Sequence, residues 1–145
     1  MVKTFHLAIP VTGDLDKTIE FYCGVLGCKK GNSEDSPPFF WCDIDFWGNE
    51  LTLHSSINEF MVNERHIVDG ESVTIPHFGV HLDVEEFQSL KEKLIQENVE
   101  FVDDPYVRFE GDVLEQKTMF IKDPSGNILE FKTMVNPEAL FEEFI

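Results

Sequence analysis

The chain has 145 residues and a formal net charge of −17, from 28 acidic against 11 basic residues. Binding nucleic acid or an anionic membrane surface requires a basic footprint, and this balance argues against both partners. Hydrophobic residues at 42% and aromatics at 12%, with 14 Phe, give a globular composition, and the length suits one domain whose core needs no disulfide staples.

The N-terminal MVKTFHLAIPV lacks the long apolar segment and small-residue cleavage site of a signal peptide. No apolar run approaches the ~20 residues of a membrane span. Residues 5–11, FHLAIPV, alternate as a strand. Asp14 is a good N-cap for a helix whose apolar face is Leu15, Ile19, Tyr22 and Leu26, and Gly27 supplies its stop. Cys23, Cys28 and Cys42 form no CxxC and read as reduced thiols in a cytoplasm; a Cys23–Cys28 zinc pair lacks suitable partners nearby.

Residues 39–46, FFWCDIDF, turn at Trp47-Gly48-Asn49 into ELTLHS at 50–55. The segment 56–75 reads as a linker, with His66 exposed in it. PHFGVHLDV at 76–84 then repeats the opening pattern, a His followed by an alternating apolar run that leads into a helix. That second helix starts near Asp83, with Glu86 at the capping-box spacing; Phe87, Leu90 and Leu94 form its face and Asn98 ends it. EQKTMFIK at 115–122 turns at DPSGN into ILEFKTM at 128–134. The Gly-Asn pairs at 48–49 and 126–127 lie further apart than the two opening histidines, so the second copy is longer by about one loop, placed around PYVRFEGD at 105–112. Asn136 and Pro137 open a short terminal helix over 137–144 whose Leu140, Phe141 and Phe144 need cover.

The expected architecture is therefore α+β: two tandem βαβββ modules, about residues 3–55 and 76–134, forming curved mixed sheets around a central cavity with the helices outside. About eight strands result. Side chains alternate across a strand. Phe5, Leu7 and Ile9 share one face and His6 and Ala8 the other; Phe78, Val80 and Leu82 oppose His77, Gly79 and His81; Leu129 and Phe131 oppose Ile128, Glu130 and Lys132; Leu51 and Leu53 oppose Glu50, Thr52 and His54. A wet outer sheet face alternates in the same way. A His at the matching position of each opening strand, with a Glu in the last, points instead to metal ligands. Ala8 and Gly79 beside the histidines would leave room for a ligand.

The stretches FHLAIPVTGDLDKTIEFYCGVLGC, PHFGVHLDVEEF and MFIKDPSGNILEFK resemble the vicinal oxygen chelate superfamily, which includes glyoxalase I, bleomycin-resistance proteins and extradiol dioxygenases. The resemblance covers about residues 3–134 and is nearest the small extradiol-dioxygenase-like branch. It implies that His6, His77 and Glu130 are metal ligands, a two-His, one-carboxylate set that suits Fe(II) and also holds Zn, Ni or Mn. A four-ligand isomerase of this superfamily would add a carboxylate in the fourth strand. Aligning the Gly-Asn pairs sets Thr52 opposite Glu130, aligning on ELTL nominates Glu50, and His54 shares their face.

The implied activity is dioxygenation of a small substrate that chelates metal through two oxygens. His54 is a candidate for acid/base help, and Tyr106 and Arg108 for hydrogen bonds or an anionic group. For Arg108 the plain alternative is a surface salt bridge. His81 is second to His77 on the same face. Trp41 and Trp47 read as core or cavity wall. Two other readings stay open: an isomerase or lyase using Zn, Ni or Mn, and a metal-free small-molecule binder. A homodimer is expected, partly because the apolar terminal helix needs cover.

Overall fold

Strand β1 (His6–Val11) leads into a helical segment opened by Asp14, whose carboxylate accepts the N–H groups of Asp16 and Lys17 at 2.8 and 3.3 Å. These are donors that the first helical turn leaves open. The segment is α-helical over Leu15–Ile19 (α1) and widens into a π-helical turn over Glu20–Val25. Gly27, at φ 78°, ends it in the left-handed conformation that a Cβ would disfavour. Strands β2 (Lys29–Ser36), β3 (Phe39–Phe46) and β4 (Asn49–Ser55) follow. Trp47 and Gly48 both have positive φ, the hairpin turn that matches strand twist between β3 and β4. The sheet order is β1-β4-β3-β2, with β1 parallel to β4.

The computed structural model describes residues 3–36, 39–56, 64–68 and 71–142. The stretch read as a linker carries a hairpin of its own, β5 (Glu64–Val68) and β6 (Glu71–Ile75). His66 lies on β5, and its side chain is outside the described residues. Then the first pattern returns: β7 (Phe78–His81), α2 (Val84–Gln96), β8 (Phe101–Arg108), β9 (Gln116–Lys122) and β10 (Ile128–Met134). Their order is β7-β10-β9-β8, again with the first strand parallel to the last. Asp83 caps α2 by accepting the Glu86 N–H at 2.8 Å, and Asn98, at φ 57°, terminates it. Most of the extra length of the second copy is the connection 109–115 between β8 and β9; residues 105–108 of the loop expected at 105–112 belong instead to β8, where 106–108 pair with β9. The structure is thus α+β with two four-stranded mixed sheets; the described residues form ten strands where the repeat predicts eight, and the hairpin accounts for the difference.

The chain divides into two compact units, Met1–Asn63 with Asp123–Asn127, and Glu64–Lys122 with Ile128–Ile145. In the first, Ile9, Tyr22, Leu51 and Leu53 are almost fully buried, on the faces expected of them, and Val11, Cys42 and Ile44 join them, whereas Phe5, expected on the apolar face, precedes the strand and is exposed. In the second, α2 packs on β10 through its buried Phe87, Leu90 and Leu94 face. Burying each such side chain contributes about 1.5–3 kcal/mol. Among the described residues the C-terminal segment is one 3-10 turn, Pro137–Ala139, shorter than the helix expected over 137–144; Asn136 makes no side-chain cap there, and Phe144 lies outside the described residues. Among the described residues no helix is long and apolar enough to cross a membrane.

Candidate metal site

The second sheet presents its chemistry in register. His81 pairs with Lys132, Lys132 with Thr118, and Thr118 with Tyr106, one residue from each of β7, β10, β9 and β8. The neighbouring row on the same face is Gly79, Glu130 and Phe120. Paired residues on adjacent strands point to the same side. The hairpin read as a linker walls this face: Val73 of β6 packs with Phe120 and Ile128, joined by Val102 and Tyr106.

His77 and Glu130 meet here, with Nε2 and Oε1 3.1 Å apart. His77 Nδ1 lies 2.7 Å from the Thr74 carbonyl oxygen. A carbonyl only accepts, so Nδ1 carries the proton and Nε2 faces the carboxylate. This is how a metal-binding histidine is oriented, its far nitrogen held by a backbone carbonyl. The ring also meets Phe120 edge-on at 5.2 Å. On the other side, the Thr118 hydroxyl donates to Glu130 Oε2, and Lys132 Nζ stands 3.5 Å from Oε1.

Hydrogen bonding to Glu130 raises the His77 pKa above the ordinary imidazole value, against the opposing effect of burial. Burial pushes the buried Glu130 carboxyl up, but bonds from His77 and Thr118 and the Lys132 charge outweigh it and hold the group below the usual range. Burial, then the Lys132 charge, lowers His81. Both shifts favour the charged forms, so the two groups meet as an ion pair. An imidazole nitrogen and a carboxylate oxygen that converge in this way are donors of the type that would hold a divalent ion. A cavity of about 230 Å³ opens beside it, lined by His77, Gly79, His81, Glu130 and Lys132 among others. Gly79 also has a second role: a Cβ there would overlap the backbone carbonyl of Glu130, so the glycine is required for β7 to lie against β10.

The remaining sequence candidates divide between the units. His6, in the first, places Nδ1 2.6 Å from Glu50 Oε1, directly opposite in the β1–β4 register. The Glu50 carboxylate thus holds Nδ1 of His6, as the Thr74 carbonyl holds Nδ1 of His77. Thr52 pairs with Ala8 as Glu130 pairs with Gly79, which is the correspondence the Gly-Asn alignment gives. Its hydroxyl donates to Asp43 at 2.7 Å. His54 is exposed, with Nδ1 2.9 Å from the Ser55 carbonyl oxygen. Tyr106 stands on the site face of the second sheet, and Arg108 one row further, opposite Gln116, with its guanidinium 4.8 Å over the Phe109 ring. Among the described residues no three His, Cys, Asp or Glu side chains gather at metal-binding distance; the second unit supplies a two-donor half-site. Sequence reasoning missed the contacts of Thr74 with His77 and of Thr118 and Lys132 with Glu130. Only Lys132 left a signal, its period-two spacing from Glu130.

The Glyoxalase/Bleomycin resistance protein/Dioxygenase superfamily profile matches residues 4–131. A solved glyoxalase/bleomycin resistance protein/dioxygenase from Alicyclobacillus acidocaldarius is 32% identical, with 96% of each chain covered and a TM-score of 0.72. The fosfomycin resistance protein FosX of Listeria monocytogenes shares the fold at 16% identity and a TM-score of 0.65, covering 97% of this chain and 98% of that one. So does a virulence protein of Salmonella typhimurium, at 22% identity and a TM-score of 0.63, covering 93% and 98%. No curated protein matches the sequence. The repeated module, the DPSGN turn and the profile spanning most of the chain agree: this protein belongs to the glyoxalase/bleomycin resistance protein/dioxygenase superfamily, the vicinal oxygen chelate group.

Proposed function

We propose that this chain is a metal-dependent enzyme acting on a small substrate through two neighbouring oxygens, with extradiol-type dioxygenation as its reaction. The His77–Glu130 pair carries the proposal: an oriented imidazole and a braced carboxylate 3.1 Å apart beside a cavity. The family resemblance makes His6 the third ligand of the set, and its Nδ1 lies 2.6 Å from Glu50 Oε1. Thr52, at the position corresponding to Glu130, offers no carboxylate, which favours a three-ligand site over the four-ligand pattern of an isomerase. A bound ferrous ion would supply open positions for a chelating substrate and dioxygen.

The chain's own residues do the rest. Thr74 and Thr118 hold His77 and Glu130 in place. Val73 and Phe120 keep water from one side of the pair. Tyr106 has a phenol on the site face that donates a hydrogen bond to a substrate oxygen. His54 moves a proton at its Nε2, and Arg108 attracts an anionic substituent. A homodimer belongs to the same reading, supported by Phe141, which is 94% exposed beside Leu140; sedimentation tests it.

The test is elemental analysis of protein purified without chelator, as wild type and His77→Ala. About one iron per chain, lost in the variant, followed by oxygen uptake with catechols, is the expected result. Zinc, nickel or manganese at that stoichiometry, without oxygen uptake, would turn the assignment to an isomerase or lyase. Absence of metal even after reconstitution would leave a small-molecule binder.

A further inference from the structure

Glu130 is served by a cation of the chain's own. Its carboxylate is 6% exposed, and Oε1 faces two groups at once, His77 Nε2 at 3.1 Å and Lys132 Nζ at 3.5 Å, while Oε2 takes the Thr118 hydroxyl. The Lys132 side chain is partly buried and helps to line the cavity of about 230 Å³ beside the pair. Register keeps it there. Lys132 lies between His81 of β7 and Thr118 of β9, two residues along β10 from Glu130 and on the same face, and the Leu82 N–H donates to its carbonyl at 2.7 Å. A flexible stem lets the ammonium reach back to the carboxylate.

This ion pair and a divalent ion make opposing demands on one oxygen. A carboxylate taken out of water needs a partner, and Lys132 is one that requires no metal. Among the described residues no third His, Cys, Asp or Glu stands with His77 and Glu130 at metal-binding distance, so these two donors, with the ammonium on one of them, do not by themselves fit the ion that the family implies. A cation arriving at Oε1 would meet the ammonium across that oxygen, and like charges repel strongly where water is scarce. The contact of 3.5 Å is longer than the about 2.7–2.9 Å of a charge-assisted hydrogen bond. The ammonium is therefore held by charge rather than by direction, and the cavity beside it leaves room to swing aside.

We infer that Lys132 is a resident counter-cation of Glu130 that competes with a divalent ion for this carboxylate, and so sets how much free metal is needed to fill the site. The internal ion pair keeps the carboxylate in place at low metal, and a metal enters only against the ammonium. The inference rests on the metal-site reading above, and its test keeps the two separable.

The probe is Mn(II), titrated calorimetrically at neutral pH into the chelator-treated full chain, with thermal melts to identify folded variants. Lys132→Met and Lys132→Gln, one apolar and one polar, remove the charge. Each should bind Mn(II) at least about 10-fold more tightly than wild type, the ratio that one contact with a charged group supports. Lys132→Arg keeps the charge and should stay at the wild-type affinity. His77→Ala placed on Lys132→Met should abolish the gain. Unchanged affinity in the folded charge-removing variants overturns the inference and leaves the metal site standing. A gain that survives His77→Ala arises elsewhere on the chain and overturns it too. A gain over a wild type that binds no Mn(II) supports the inference and overturns the metal-dependent function. Absence of binding in wild type and in every variant overturns both.

Discussion

Tyr22→Phe removes one buried oxygen and nothing else. Tyr22 is fully buried, and its hydroxyl donates to Asp123 Oδ2 at 2.8 Å, across 101 residues of sequence. Asp123, only 5% exposed, also accepts the N–H groups of Ser125 and Asn127 at 2.9 Å each and the Asn127 side-chain amide at 2.7 Å. That amide in turn donates to the Pro10 carbonyl at 3.0 Å, and the Ser125 hydroxyl accepts the Thr12 N–H at 3.1 Å. The DPSGN turn is therefore closed on its own aspartate, and Tyr22 ties that aspartate to the helical segment.

A hydrogen bond to an ionised acceptor contributes about 1.5–3 kcal/mol. Asp123 keeps three donors in the variant, so the low end applies, about 1.5–2 kcal/mol. At about 2–4 °C per kcal/mol for a chain of this size, Tm should fall by about 3–8 °C.

The pH dependence has a definite sign. Burial raises the Asp123 pKa above the ordinary carboxylate value, and the bonds from Asn127, Tyr22 and Ser125 oppose it. The folded state thus holds this proton more tightly than the unfolded state. The group's contribution to stability is lost as pH rises from the unfolded carboxylate value through the folded one. The Tyr22 hydroxyl favours the ionised form, so Tyr22→Phe should cost more above that window than below it. The assay is urea unfolding at neutral pH of wild type, Tyr22→Phe, Asp123→Asn and the double variant, with constant m values as the control. We expect a coupling energy of about 1 kcal/mol or more. A Tyr22→Phe cost that persists undiminished in the Asp123→Asn background would refute the argument.

Gly79→Ala should part β7 from β10, because the new methyl overlaps the Glu130 backbone carbonyl; a loss of about 3–5 kcal/mol is expected in thermal melts, together with loss of metal uptake. A variant that melts like wild type would contradict the close approach. Thr118→Val keeps the shape and removes the donor to Glu130 Oε2, so metal affinity measured by chelator competition should fall about 10–100-fold and Thr118→Ser should restore it. Burial pushes the Cys28 thiol up to about 12. At pH 8 only about one molecule in 10⁴ then carries the thiolate, so iodoacetamide should leave Cys28 unmodified in the native protein and label it in urea, as read by mass spectrometry.

Much of the fold was legible because its signals are local. Asp14 and Asp83 cap helices through bonds two or three residues away. The turns at Gly48 and Gly126 need positive φ, which glycine adopts without penalty. Alternation placed Ile9, Leu51 and Leu53 in the core, and repetition singled out His6, His77 and Glu130. The hairpin β5–β6 escaped because its partner surface, Phe120 and Ile128, lies some fifty residues downstream in the sequence. The terminal helix was overread over its described part: a capping Asn, a Pro and an apolar run are only local propensities, and among the described residues the segment completes one 3-10 turn.

The sequence by itself determined the repeated module, the limits of its two helices and the type of residue offered to a metal, since caps, turns and side-chain alternation are set within a few residues. Only tertiary structure decided that Glu50 meets His6, that Thr118 and Thr74 brace Glu130 and His77, and that Lys132 shares their cavity. Those contacts depend on strand register. A parallel pairing such as His6 with Glu50 joins residues far apart in the chain, and a shift of one residue would send every side chain on the strand to the opposite face.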